Sequence, residues 1–226
     1  VNSAGTVSEI DGSAQAVGTA VVYETSESRH NKATFDSNSN RVVIAYRDQG
    51  NSAYGTAVVG TVSGTSISFG TPVVFESANC EVIGPTFDSS NNKVVIAYVD
   101  NGNSGYETCI VGTVDPSDNS ISFGTPAVYY SASGSYVNTI TFDSYNNKVV
   151  VAYRVSSSKG EARVGTVSGT DITFGTAATI ISNSVTYFGS TFDTNSNKVV
   201  IVFMNYSSGD DGTAIVGTVS GTDITF

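Results

Sequence analysis

The stretch 87–130, FDSSNNKVVIAYVDNGNSGYETCIVGTVDPSDNSISFGTPAVYY, decides the fold, because it recurs in variant form along the whole chain. Its first residue returns as Phe35, Phe87, Phe142 and Phe192, at spacings of 52, 55 and 50 residues. Self-similarity at a period of roughly 50 residues marks a repeat architecture. Within this unit the pattern predicts four strands: A over Ile83–Ser89, B over Lys93–Asp100, C over Tyr106–Val114 and D over Ser120–Tyr130. Val, Ile, Thr, Tyr and Phe fill them, the residues that suit a packed, pleated surface. No stretch carries helical periodicity of useful length.

Strand B, Val94-Val95-Ile96-Ala97-Tyr98, is apolar on both faces rather than alternating. A sheet covered on both sides needs neighbours on both sides. Recurring four-stranded antiparallel sheets of this kind are expected to be blades of a β-propeller. The expected fold is therefore all-β, a propeller of about four blades with a half-blade at each terminus. One domain spans 1–226: a half-blade over 1–24, full repeats over 25–77, 78–130 and 131–181, and a partial repeat over 182–226.

The turns explain the acidic residues. Each A–B turn runs from Asp to Asn: Asp36 to Asn40, Asp88 to Asn92, Asp143 to Asn147, Asp193 to Asn197. Asp accepts hydrogen bonds from backbone two residues on, and Asn tolerates the left-handed conformation that closes a short hairpin. These four aspartates read as turn-formers, not as a catalytic or metal set.

Counting exposes the ends. The Gly-Thr-Val phrase of strand C starts at Gly5, Gly60, Gly112, Gly165 and Gly217, five times, whereas strand A occurs four times. The expectation favoured here is that Ala16–Glu24 supplies the D strand of a last blade and closes a ring within the chain. The alternative is that the terminal half-blades pair with a second copy, since unpaired strand edges are templates for addition. The opening residues carry no leader pattern, and the chain is expected to be a processed form or an excised segment.

Twenty acidic and ten basic residues leave a formal net charge of −10. That charge disfavours nucleic acid and anionic membrane surfaces as partners. No apolar run approaches the roughly 18 residues of a membrane span. A polar surface rich in Ser, Thr, Asn and Gly suits an extracellular setting, on a cell or virion. Cys80 and Cys109 both fall in the second repeat, which hints at a local disulfide, but they read as lying on non-adjacent strands and free thiols are the favoured expectation. Asn205-Tyr206-Ser207 matches a glycosylation sequon at Asn205, with chance occurrence in an Asn/Ser-rich chain as the plainer reading.

Chain direction sorts the loops into two faces. The A–B and C–D turns, nearly constant among copies, fall on one. The B–C loops (48–54, 100–106, 155–161, 205–212) and the crossings to the next unit (25–33, 77–85, 131–139, 182–189) fall on the other and diverge. Diverged loops on a constant scaffold are where binding is expected. That face carries Tyr54, Tyr106, Tyr136, Tyr187, Phe188 and Tyr206, with Arg47 and Arg154 at the ends of B strands. Aromatic rings among Asn, Ser and Asp suit a sugar ring. Asp48 and Asp100, each in an Asp-x-Gly-Asn turn, and the pair Asp210-Asp211 offer oxygen ligands of the calcium kind. They lack the dense carboxylate spacing of a strong site, so no metal and no cofactor is expected.

Catalytic signals are few. His30 is the single histidine, beside Arg29. No Gly-x-Ser-x-Gly elbow or phosphate-binding loop occurs. Propeller sialidases present an arginine cluster and Asp-box turns ending in Trp; this chain has no Trp.

The phrase FDSxxNKVVIAYxDxGNxxxGTAxVGTVSGTxISFGTPVVF resembles a propeller repeat of large secreted, surface or phage-appendage proteins of aquatic bacteria. The plan is also similar to lectin-type propellers such as the tachylectin group. The first resemblance implies an extracellular modular role and transfers no catalytic residue. The expected function is a non-enzymatic structural or adhesive module of a fibre, filament or appendage, with itself or glycans as partners. A lectin using the variable loops is the alternative, and a glycan hydrolase a third class.

Overall fold

The computed structural model describes residues 17–132 and 138–226, and every strand pair among them is antiparallel. The first sheet comprises β1 (Ser28–Asp36), β2 (Arg41–Asp48), β3 (Tyr54–Ser63), β4 (Ser66–Phe69) and the start of β5 (Val73–Asp88). β5 runs on to open the second sheet, followed by β6 (Lys93–Asp100), β7 (Tyr106–Asp115), β8 (Ser120–Phe123) and β9 (Ala127–Tyr130). The third sheet is β10 (Asn138–Asp143), β11 (Lys148–Arg154), β12 (Gly160–Ser168), β13 (Asp171–Phe174) and β14 (Ala178–Ile181). The fourth is β15 (Val185–Asp193), β16 (Lys198–Asn205), β17 (Asp211–Ser220) and β18 (Asp223–Thr225). The only helical pieces among the described residues are three-residue 3-10 turns.

The A–B turns form as their chemistry dictates. The Oδ1 atoms of Asp36, Asp88, Asp143 and Asp193 each accept from the backbone N–H groups two and three residues on. Asn40, Asn92, Asn147 and Asn197 close the turns with φ of 56°, 54°, 55° and 55°. The thiols of Cys80 and Cys109 are free and buried, and they point into cores on opposite sides of the second sheet.

The core lies between sheets, not within one. Val43, Ala45, Ala57 and Val59 of the first sheet are buried beneath Val94, Ile96, Tyr98 and Ile110 of the second. The joint repeats: Val95, Ala97, Cys109 and Val111 meet the third sheet, and Val150, Ala152, Ala162 and Val164 meet the fourth. The A strands β1, β5, β10 and β15 lie side by side along the inner edge.

Two further contacts mark these joints. An aromatic on the outer strand packs on the B-strand ring of the next sheet. Phase-equivalent pairs are Tyr23–Tyr46, Phe75–Tyr98 and Tyr129–Tyr153, with centroids 5.2, 5.3 and 5.3 Å apart. Across the first joint the Tyr98 hydroxyl donates to Glu76, and the Tyr46 hydroxyl donates to Glu24 in the equivalent place, whereas the Tyr129 and Tyr153 hydroxyls donate within their own sheets, to Glu107 and Glu161. At the last joint the ring is Phe203 and the Glu76 position holds Ile181, so the hydroxyl and its acceptor disappear together.

The D strand, predicted as unbroken, is split. Gly70-Thr71-Pro72 and Gly124-Thr125-Pro126 interrupt it, and proline has no N–H for the ladder. The glycine is there because backbone from the next sheet comes close. A Cβ on Gly18, Gly70, Gly124 or Gly175 would run into the carbonyl oxygen of Thr65, Asn119, Thr170 or Thr222 respectively.

The expected ring closure is not observed. Val17–Glu24 is not a strand and lies against the first sheet. Among the described residues β1 has no such side-by-side contact with β15. Among the described residues the four sheets are not closed into a ring and form an open fan. Residues 1–16 of the N-terminal half-blade and Tyr136 lie outside the described residues.

Candidate functional site

The two expected faces are present. Arg41 Nε donates to Asn119 Oδ1 at 2.6 Å and its Nη2 to the Pro116 carbonyl, tying an A–B turn to the next sheet's C–D turn. On the opposite rim three of the crossings are zipped to B–C loops: Gln49 N–H donates to Glu27 O, Cys80 N–H to Ala53 O, Val185 N–H to Ser158 O and Tyr206 N–H to Ser184 O.

Cation ligands are not assembled there. Asp48 and Asp100 cap 3-10 turns, their Oδ1 atoms accepting from the N–H of Asn51 at 3.1 Å and Asn103 at 3.0 Å. Both carboxylates are buried by this role. Asn205 caps a third turn through Ser207 N–H and is also buried. Asp210 and Asp211 are exposed. Among the described residues no three His, Cys, Asp or Glu side chains come together as a metal set.

The aromatic candidates separate into two kinds. Tyr54 and Tyr106 open β3 and β7 and are half-buried. Phe188 turns inward, 5.8 Å from Phe203. Tyr187 and Tyr206 stand out, at 73% and 46% exposure. Tyr187 is thrust outward by a bulge between Thr186 and Gly189, with φ of 53°. The same bulge puts His30 (φ 54°) and Val82 (φ 49°) in the left-handed region. Such backbone in a β-branched residue is uncommon, and bulges of this kind re-aim a side chain.

Arg47 serves a joint. Arg47 Nη1 meets Glu81 Oε1 at 3.2 Å across the first joint, while its Nε is buried without a partner. Arg154 also has a buried, unpartnered Nε. Burial pushes the exposed-edge His30 imidazole below its ordinary pKa; Arg47, Arg29 and Lys32 add to this and Glu81 opposes it.

Two cavities open near this rim. A groove of about 290 Å³ runs between the A strands, lined by Lys32, Pro85, Thr139, Phe188 and Ser190, with Thr139 and Ser190 hydroxyls 2.9 Å apart. A shallower one of about 520 Å³ lies on the outer face of the fourth sheet, between Tyr187, Val202, Met204, Asp210, Thr213 and Ala214. Val202 and Val216 on this face are 46% and 54% exposed. Their counterparts Ala45 and Val59 in the first sheet are fully buried. The bare face is thus the surface that, on the other three sheets, carries a neighbour. Sequence reasoning missed Val202, Ala214 and Val216 because they match buried positions of the other copies. Their being in the last copy was the available signal.

No family model matches the chain, and no curated protein matches it. Its fold is similar to that of a solved structure described as NanB plus Optactamide, with a TM-score of 0.54 and 15% identity. The match covers 81% of this chain and 30% of that one, so the chain spans less than a third of the NanB structure. At this identity the likeness concerns the fold, which in NanB is propeller-like.

Proposed function

We propose that this chain is a non-enzymatic extracellular module, a run of four β-propeller blades that serves a fibre, filament or surface appendage as a structural or adhesive part. The observation that carries this reading is the bare apolar face of the fourth sheet, equivalent position by position to faces that hold a neighbouring sheet. Exposed apolar surface of this kind marks an interaction site. Two further features support it. The recurring aspartates are committed to backbone amides in turns, and the surface is polar and sparsely charged, as suits an extracellular setting. Negative-stain electron microscopy of concentrated protein, with a chromogenic glycoside screen alongside, tests the reading. Ordered assemblies with no turnover are expected; turnover of any glycoside, or dispersed single particles only, would count against it.

A lectin reading rests on the two projecting tyrosines, Tyr187 and Tyr206, with Asp210 beside the first. A glycan array tests it: binding lost on Tyr187→Ala would support it, and an array without signal would dismiss it.

A further inference from the structure

The segment Val17–Glu24 sits where the outer strand of a preceding sheet belongs. Three contacts place it. Gly18 abuts the Thr65 carbonyl as Gly70 abuts that of Asn119. Tyr23 packs between Tyr46 and Phe69 as Phe75 packs between Tyr98 and Phe123. The Tyr46 hydroxyl donates to Glu24 as that of Tyr98 donates to Glu76. Yet among the described residues no sheet stands behind this segment, and Val21 and Val22 are 45% and 72% exposed.

The other end of the fan lacks what this segment would supply. In the first sheet, β3 is flanked by β4 along Gly60–Ser63 and by β5 along Tyr54–Ala57. In the fourth sheet, β18 flanks only Thr218–Ser220 of β17, and along Asp211–Ala214 no described strand lies on the side away from β16. An open edge and an uncovered apolar face therefore coincide at one end. A pre-placed outer segment, with no sheet behind it among the described residues, stands at the other.

We infer that two copies of this chain join head to tail, the fourth sheet of one packing on the first sheet of the next, with Val21–Glu24 of the second added as an outer strand along β17 of the first. This rests on the assembling-module reading above and specifies its partner. The register follows from the internal joint, where Val73, Val74 and Glu76 pair with Ala57, Thr56 and Gly55. Val21 then lies opposite Ala214, Val22 opposite Thr213 and Glu24 opposite Gly212. Val21 takes the role of Val73, which packs on the core of the first joint. Such a contact is heterologous and need not close, so it extends. Copies carrying a net charge of −10 repel one another, so salt strengthens the joint by screening that repulsion.

Sedimentation velocity over a concentration series of the 226-residue chain at moderate and high salt tests this. Wild type is expected to form a ladder of oligomers that grows with concentration and salt. Val216→Lys spoils the tail and Val21→Lys the head, and each alone stays monomeric, association weakening on the order of a hundredfold or more from a buried unpaired charge. Mixed in equal amounts, they form dimers and nothing larger, because one sound tail meets one sound head; this also shows that both variants fold. Oligomers indifferent to both substitutions would overturn this joint and leave an assembling module standing. A monomer at every concentration and salt would overturn both.

Discussion

Replacing Gly124 with alanine tests the spacing of the sheets. A Cβ there would overlap the Thr170 carbonyl oxygen and lie 2.6 Å from Thr170 Cβ and 2.9 Å from its carbonyl carbon, where 3.4–4 Å is ordinary contact. The obstructing atoms are mainly backbone, held in the turn between β12 and β13 where Gly169 has φ of 63°. Thr170 cannot yield by rotating a side chain, so the second and third sheets must part by roughly an ångström at their outer edge. Overpacking of this kind costs about 2–3 kcal/mol. For a chain of this length that lowers the melting temperature by about 4–12 °C. Gly212→Ala, melted at a dilution where the protein is monomeric, is the matched control, since nothing in the same chain lies within 4 Å of its Cβ and its φ is not in the left-handed region. It should be neutral or stabilise by up to about 1 kcal/mol through the unfolded chain. Differential scanning calorimetry of both variants decides the matter. Indistinguishable melting of Gly124→Ala and wild type would refute the claim that close backbone approach selects glycine here.

Tyr129→Phe removes a 2.7 Å hydrogen bond to the fully buried Glu107 and should cost about 1.5–3 kcal/mol in urea denaturation. Tyr46→Phe, whose acceptor Glu24 is half-exposed, should cost below about 1 kcal/mol. Equal losses would show that burial does not set the strength of these bonds. Burial first, and Asp100 second, raise the Glu76 pKa above the ordinary carboxylate value, against a smaller pull from the Tyr98 hydroxyl. Folding therefore shifts this group toward its protonated form relative to the unfolded chain. Its stabilising contribution is full below the unfolded pKa, about 4.3, and is lost as pH rises through the raised folded value. Glu76→Gln should flatten that slope, and an unchanged pH profile would contradict the assignment. Burial also pushes both thiols well above the usual range. Cys80 and Cys109 should ignore a thiol reagent in native protein and titrate as two on unfolding, whereas rapid native labelling would show the joints to be loose.

Much of this scaffold was legible because its causes are local. An Asp-to-Asn turn needs only its own backbone, so the A–B hairpins could be read letter by letter. The apolar B strands announced neighbours on both sides. The recurring glycine of strand D was visible too, but its reason was not, since Thr170 is remote in sequence from Gly124. Nor could the bulges be read: His30, Val82 and Tyr187 share left-handed backbone and no chemistry, because pairing with the neighbouring strand imposes the conformation. The variable rim was located correctly as a place. Its members divide in a way the letters do not show: Phe188 turns inward onto Phe203, while Asp48 caps a turn, as a lone Asp in a turn sequence reads first. Closure of the ring was misread because repetition counts units and says nothing of the angle between them.

The tyrosine–glutamate bonds between sheets have a consequence for the order of the units. Near-identical repeats invite exchange, since any unit could replace any other at the level of turns and strands. The hydroxyl and its acceptor come from different units at the first internal joint, and both are absent from the last. A chain in which the fourth sheet followed the first would set the Glu76 carboxylate against the Phe203 ring, which has no proton to offer. A carboxylate that loses its donor at a covered joint costs about 1–3 kcal/mol, enough to make one succession fit better than its permutations. The repeats are alike as building pieces and distinct as neighbours, and their sequence along the chain is written in the contacts between them.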